Sequence, residues 1–402
     1  MRALAQSVAE LAAAAPVRAA IDWFRRERAW INEQHLNLCR IPAPTFFEEK
    51  RAEWMANRFR SSGWEARIDR AGNVVASLPG AREPVVAVTA HLDTVYAPRL
   101  PEEIKVDGDG RFLGPGVSDN GAGLAALLAL AAAWNASPPV RAACSPMLVA
   151  NVGEEGEGNL SGMRYLCRPA NLPKIRALLV LDGPSTDHIT SQALASRRFD
   201  LTITGAGGHS WSDSGTGNPI HALSRAVTIF TDEAAALAAG PPRSSFNFGV
   251  IEGGSSINAI PNEARAKVDL RSESAERIER MAVLLSSALE RAVELENSRS
   301  AAGRVAGRVK EIGSRPAGAL PPDAPILECI RAVDAHLGIR SHLDCSSTDA
   351  NIPLSLGLPA ISIGAGGQGG GAHTTAEWFQ PEGRERGLTR VLLALCLLLM
   401  SE

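Results

Sequence analysis

No two of the six cysteines (Cys39, Cys144, Cys167, Cys329, Cys345, Cys396) stand in CxxC spacing. In a chain of 402 residues they read as unpaired thiols of a reducing compartment, not as a disulfide framework. No Lys/Arg-rich run is present, and 41 basic against 44 acidic residues leave a formal net charge of −3, so a nucleic-acid partner is not expected. The C-terminal apolar run VLLALCLLLM is ten residues, too short to span a bilayer, and reads as a buried terminal helix. The Ala-rich segment from Leu4 to Glu27 carries acidic residues and makes a poor signal peptide. The expectation is a cytoplasmic protein with no membrane partner. What is present is ordinary for a folded protein: 45% hydrophobic and 21% charged residues, in a chain long enough for two domains.

Residues 17–62 read as helices interrupted at RIPAPTFFEEKRAEW, where two prolines precede an acidic first turn. Beyond NVVASLPG come three continuous apolar runs of strand length: PVVAVTAHLDTV, PMLVANVGEEGEG and IRALLVLDGPS. LAALLALAAAW between the first two is a helix apolar on most faces. Such strands alternating with helices imply an α/β fold with a mixed, mostly parallel sheet covered on both faces. From RRFDLTITGAGGHS the pattern shifts to period two, and the order to residue 313 is β-α-β-β-α-β, the plan of a ferredoxin-like α+β domain. Buried helices then return, with PAISIG as one more short strand. The expected domains are 1–194 and 314–402, forming one catalytic unit, with 195–313 inserted between them.

The ends of the apolar strands carry the chemistry. The first ends in His91-Leu92-Asp93, the second in Glu154-Glu155 and the third in Asp182; His373 follows the glycine-rich stretch after PAISIG, and Asp119 precedes a helix. Ligands of open parallel sheets collect outside the carboxyl ends of the strands. Imidazole and carboxylate in this mixture suit Zn²⁺, with Mn²⁺ or Co²⁺ open by the same ligand logic. Taken singly, each residue has an ordinary explanation as a surface polar group or a helix cap. GAGGQGGGAH lacks the Lys-Ser/Thr ending of a phosphate loop and reads as a segment of close backbone approach.

In order, AHLDTV, GPGVSDNGAG, NVGEEGEG, LDG, GGHSWSD, SSINAIPNEARAKVDLRS and GGAHTTAEW resemble the dinuclear zinc exopeptidase and deacylase family of peptidase T, carnosinase, carboxypeptidase G, acetylornithine deacetylase and succinyl-diaminopimelate desuccinylase. The resemblance implies a zinc-exopeptidase-like fold whose inserted domain acts in dimerisation and as a lid. It implies that Asp119 bridges two divalent metals, one also held by His91 and Asp182, the other by Glu155 and His373. Asp93 would orient His91 through a hydrogen bond, and Glu154 would be the general base. His209 would reach the site of a partner subunit to stabilise the oxyanion, and Asn258 and Arg271 would bind substrate. The Asp119–Asn120 peptide bond is expected to be cis. Asp349, in SSTDAN, shapes the site, and the other histidines have structural roles.

The third ligand of the first metal divides the family: typically Glu in the deacylases and carboxypeptidase G, Asp in peptidase T and carnosinase. Asp182 therefore points to an exopeptidase on di- or tripeptides, and the match at His209 to a homodimer through the inserted domain. The alternative is an amidohydrolase or deacylase cleaving another C–N bond, and a non-catalytic protein of this fold is the third reading.

Overall fold

In a computed structural model, which describes residues 2–401 apart from 141, 143, 172 and 173, the chain divides into two compact units. Met1–Ala193 and Ala319–Glu402 form one; Leu194–Gly318 forms the other.

The first unit is organised by a nine-stranded sheet, across which Glu65–Ile68, Val74–Ser77, Ser145–Asn151, Val85–His91, Ile175–Leu181, Ala360–Ile363 and His188–Ala193 follow one another. Ser145–Asn151, Val85–His91, Ile175–Leu181 and Ala360–Ile363 pair in parallel, and the Glu65–Ile68 and Val74–Ser77 strands add antiparallel at one edge. Every residue of Val85–His91 is buried. Val86, Val88 and Ala90 join the core on one face of the sheet, while Val85 and Ala87 join the core on the other. Burial on both faces is why these strands read as continuous apolar runs rather than alternating ones.

The Gly121–Ala136 helix is buried along nearly its whole length, and the side chain of Asn120 caps it by accepting from Gly123 N–H at 3.1 Å. The C-terminal run lies in the Arg384–Met400 helix, also buried, whose Arg390 makes a two-pronged bond to Asp334 at 2.6 and 2.7 Å. Among the described residues no helix is long and apolar enough to cross a membrane.

The second unit has the strand–helix order expected of the insert. Its four strands run Ser244–Gly253, Glu263–Ser272, Ala195–Thr204, Ala306–Arg315 across an antiparallel sheet. Alternate residues of Glu263–Ser272 are buried under the Pro219–Ala238 and Ala275–Arg299 helices, and the rest face away, which is the origin of the period-two pattern. The last strand continues to Arg315 beside Ser196, so this unit closes at Gly318 where the sequence pattern had placed 313.

His35 sits in the core of the first unit, its ring between two fixed partners. An Arg384 guanidinium N–H donates to Nδ1 at 2.7 Å, which leaves Nε2–H to donate to the Val117 carbonyl at 2.7 Å. Burial, reinforced by Arg384, holds its pKa well below 6.5, so the folded protein keeps it neutral. Below about pH 6.5 the unfolded chain binds a proton that the folded chain refuses, so stability falls with pH by up to about 1.4 kcal/mol per unit from this group. Urea unfolding at pH 7.5 and 5.5 is expected to show this loss, and His35→Gln, less stable at pH 7.5, is expected to lose less on acidification. An unchanged pH slope in the variant would place the acid sensitivity elsewhere.

Candidate metal centre

Val85–His91 is the strand at which the chain order of the sheet reverses: Ser145–Asn151 lies on one side and Ile175–Leu181 on the other. Crossovers leaving to opposite sides open a crevice at the carboxyl ends of these strands. His91, Glu154, Glu155 and Asp182 stand at or just beyond those ends.

Three overlapping groups of donor atoms lie within 4.8 Å of one another: His91, Asp119 and Asp182; His91, Glu154 and Glu155; Asp119, Glu155 and His373. Asp119 directs one oxygen to each of two histidines, with Oδ1 3.0 Å from His91 Nε2 and Oδ2 3.1 Å from His373 Nε2. Asp182 Oδ1 is 3.9 Å from His91 Nε2, and Glu155 Oε1 is 2.9 Å from His373 Nε2. The five ligand positions and Glu154 are thus brought together.

The local backbone explains how. Asp119 follows a loop and begins the turn into the buried Gly121–Ala136 helix, and the Asp119–Asn120 peptide bond is cis. The Asn120 amide donates to the Leu181 carbonyl at 2.7 Å, tying the bridging residue to the strand end that carries Asp182. The glycine-rich stretch passes close to the same loop: a Cβ on Gly369 would lie 2.3 Å from Ser118 Oγ. His373 itself adopts φ +62°, a left-handed conformation uncommon for a residue with a side chain.

Asp93 meets His91 through its main chain and holds a second group of partners with its carboxylate. His91 Nδ1 meets the main-chain carbonyl of Asp93 at 2.9 Å, whereas the nearest carboxylate oxygen is 3.5 Å away. The carboxylate is occupied elsewhere, accepting from the N–H groups of Glu154 (3.0 Å) and Glu155 (2.9 Å) and from Thr45 Oγ1 (2.9 Å). It fixes the backbone that presents the two glutamates, and the carbonyl sets the His91 tautomer.

Electrostatically the cluster calls for positive charge. Burial alone would lower the His91 pKa, yet the neighbouring carboxylates of Asp119, Asp182 and Asp93 hold it well above 6.5. Asp119, which burial would raise, is held well below the usual carboxylate range by His373 and His91. Asp119 and Glu155 push His373 up to about 10. Imidazoles that hold protons this firmly mark places where cations are favoured, and the His/carboxylate donor set fits borderline divalent metals.

Two residues here escaped sequence reasoning or were only half read. Glu377 is buried, and its carboxylate accepts from the N–H groups of Gly116, Ser118 and Asp119. Asp349 is buried behind the cluster, accepts from Asn151 Nδ2 at 2.6 Å, and is raised to about 7 by burial. A lone Glu or Asp in a loop gives no signal until its partners are known.

The remaining candidates lie in the second unit. His209 Nδ1 accepts from Trp211 N–H (3.2 Å) and Ser212 N–H (3.3 Å). The Asn258 carbonyl accepts from Ser210 N–H at 3.0 Å, so Asn258 and His209 are neighbours. Arg271 is apart from them: it pairs with Asp269 and stands opposite Ser196, at the far end of the Glu263–Ser272 strand.

The description "Peptidase family M28" fits residues 73–241 and "Peptidase dimerisation domain", of the M20 type, fits residues 195–294. A cytosol non-specific dipeptidase of Escherichia coli (strain K12) is 28% identical over 304 residues, spanning 62% of this chain and 59% of its own length. Among solved structures, a tripeptidase of Staphylococcus aureus superposes with TM-score 0.74 at 19% identity, covering 92% of this chain and 97% of its own. The aminopeptidase PepT of Bacillus cereus gives 0.72 at 20% identity, covering 92% and 98%.

Removing the Asp93 carboxylate leaves the buried N–H groups of Glu154 and Glu155 unpaired and frees both side chains to drift. Asp93→Ala is expected to weaken binding of added Zn²⁺ by about 10–100-fold, as for other partners that orient ligands, measured by titration calorimetry after chelator dialysis; unaltered affinity would refute this role. The sheet, the donor cluster and the insert thus follow one another in the order the sequence pattern gave, and two peptidase family descriptions between them match residues 73–294.

Proposed function

We propose that the chain is a metal-dependent exopeptidase that hydrolyses the peptide bond of di- and tripeptides. The observation that carries this reading is Asp119, whose two carboxylate oxygens face two separate histidine–carboxylate sets. His91 and Asp182 would hold one divalent cation, Glu155 and His373 the other, with Asp119 shared; zinc suits the donors best, manganese or cobalt next. Two such cations polarise a carbonyl and lower the pKa of water. Glu154 takes the proton of the attacking water and delivers it to the departing nitrogen. His209, with Nδ1 occupied as an acceptor, carries its proton on Nε2, where it can donate to an oxyanion. Arg271 suits the substrate carboxylate, and Asn258 a backbone polar group. The relatives named as dipeptidase, tripeptidase and aminopeptidase favour short peptides over other amides, and the E. coli protein's cytosolic name supports a cytoplasmic location.

The insert also supports a homodimer. His209 and Asn258 lie past one end of the Glu263–Ser272 strand and Arg271 near the other. Eight residues of strand separate the ends by about 25 Å, whereas a tripeptide spans only about 10 Å. One substrate therefore takes Arg271 from one copy and His209 with Asn258 from another. The Ser244–Gly253 strand forms an open edge of its sheet, with Ile251 64% exposed, a surface fit for a second copy.

With Zn²⁺ or Mn²⁺ added, purified protein is expected to release amino acids from a di- and tripeptide panel. Turnover of N-acyl amino acids or other amides, with peptides untouched, would overturn the exopeptidase reading. Glu154→Gln is expected to lose about 10²–10⁴-fold in kcat while retaining its metal, and an empty site in that variant would reassign Glu154. Mixing inactive Glu154→Gln with inactive His209→Ala is expected to restore about a quarter of wild-type activity, since a two-fold dimer then holds one complete site. No recovery after subunit exchange would place His209 in its own subunit's site.

A further inference from the structure

Glu377 stands four residues beyond His373, and its carboxylate is buried in a nest of main-chain donors: Gly116 N–H to Oε2 at 2.7 Å, and Ser118 N–H and Asp119 N–H to Oε1 at 2.6 and 2.7 Å. Its own carbonyl accepts from Gly114 N–H at 2.9 Å. The next residues extend the same junction as a ladder, Trp378 pairing with Leu113 and Phe379 with Phe112. Among the described residues no cation forms an ion pair with this carboxylate. A buried carboxylate is costly, and the three N–H bonds are its direct partners, with the buried Arg51 attracting it from further off. Those bonds converge on the loop that ends in Asp119, and they come from the segment that carries His373.

We propose that Glu377 is a positioning residue which holds Asp119 and His373 in register and so governs metal affinity at the half of the site formed by Asp119, Glu155 and His373. The Asp119 Oδ2–His373 Nε2 separation of 3.1 Å is set across this junction. Neutral glutamine keeps the shape but turns an amide NH₂ toward donors that need an acceptor, and aspartate keeps the charge but falls one methylene short. Either change lets the segment that carries His373 shift against the Asp119 loop while leaving all five ligands and Glu154 in the chain. The proposal rests on Asp119 being a metal bridge.

Co²⁺ titration of the full chain tests both levels, followed by calorimetry and by visible absorption of the bound ion, with circular dichroism and gel filtration as folding controls. The wild type is expected to bind two Co²⁺. Glu377→Gln and Glu377→Asp are expected to weaken one of the two by about 10–100-fold, with an altered absorption band for that ion only. At limiting Co²⁺, kcat on a dipeptide falls while KM holds. If Glu377→Gln fails to fold, Glu377→Asp carries the measurement. Two Co²⁺ bound within twofold of wild type by the folded variants would overturn the role of Glu377 alone. A wild type that binds no stoichiometric Co²⁺ would instead overturn the metal reading on which it rests.

Discussion

Carboxylates crowded at one place repel each other, and the architecture of the larger unit is arranged around holding them there. Two unit charges 4 Å apart interact by about 4 kcal/mol at an effective dielectric of 20. Asp93, Asp119, Glu154, Glu155 and Asp182 therefore form an assembly that would spread if its backbone were free. The fold restrains it with main-chain groups: Asp93 binds the N–H of both glutamates, Asn120 binds the carbonyl before Asp182, and Glu377 binds the loop leading to Asp119. Peptide groups have no rotamers to lose, so they are stiffer restraints than long cationic side chains. Lysine and arginine at these places would also compete with the metals for the same oxygens.

The donor cluster was legible because parallel strands, buried on both faces, announce their carboxyl ends as the point where apolar residues stop and polar ones begin. That reasoning located His91, the Glu154–Glu155 pair and Asp182, and the glycine-rich stretch marked His373. Spacing places Asp93 beside His91 without telling its carbonyl from its carboxylate. Glu377 was silent: nothing in HTTAEW indicates that one side chain turns back to three N–H groups more than 250 positions earlier.

The separation of Arg271 from His209 likewise depended on register. Both sit in motifs that look alike on the page, a polar residue beside a β-branched run. Only the pairing of Glu263 with Thr204 and of Arg271 with Ser196 shows that Arg271 stands at one end of that strand and His209, just beyond Thr204, past the other. The loops of the insert can vary without disturbing Asp93, Asn120 or Glu377, which all lie in the other unit.

The insertion of a complete domain between Ile175–Leu181 and its neighbour Ala360–Ile363 has a consequence for synthesis. On the ribosome His91, Asp119, Glu155 and Asp182 emerge first, with the strand that completes their sheet and His373 still unmade until the insert has been translated. The insert, with its own core, can fold during that interval as a local unit, while the acidic strand ends wait with open sheet edges. Closure of the central sheet is thus a long-range event of high contact order. Completion of the donor cluster waits on the segment made last: a truncated product can fold its insert and still lack His373.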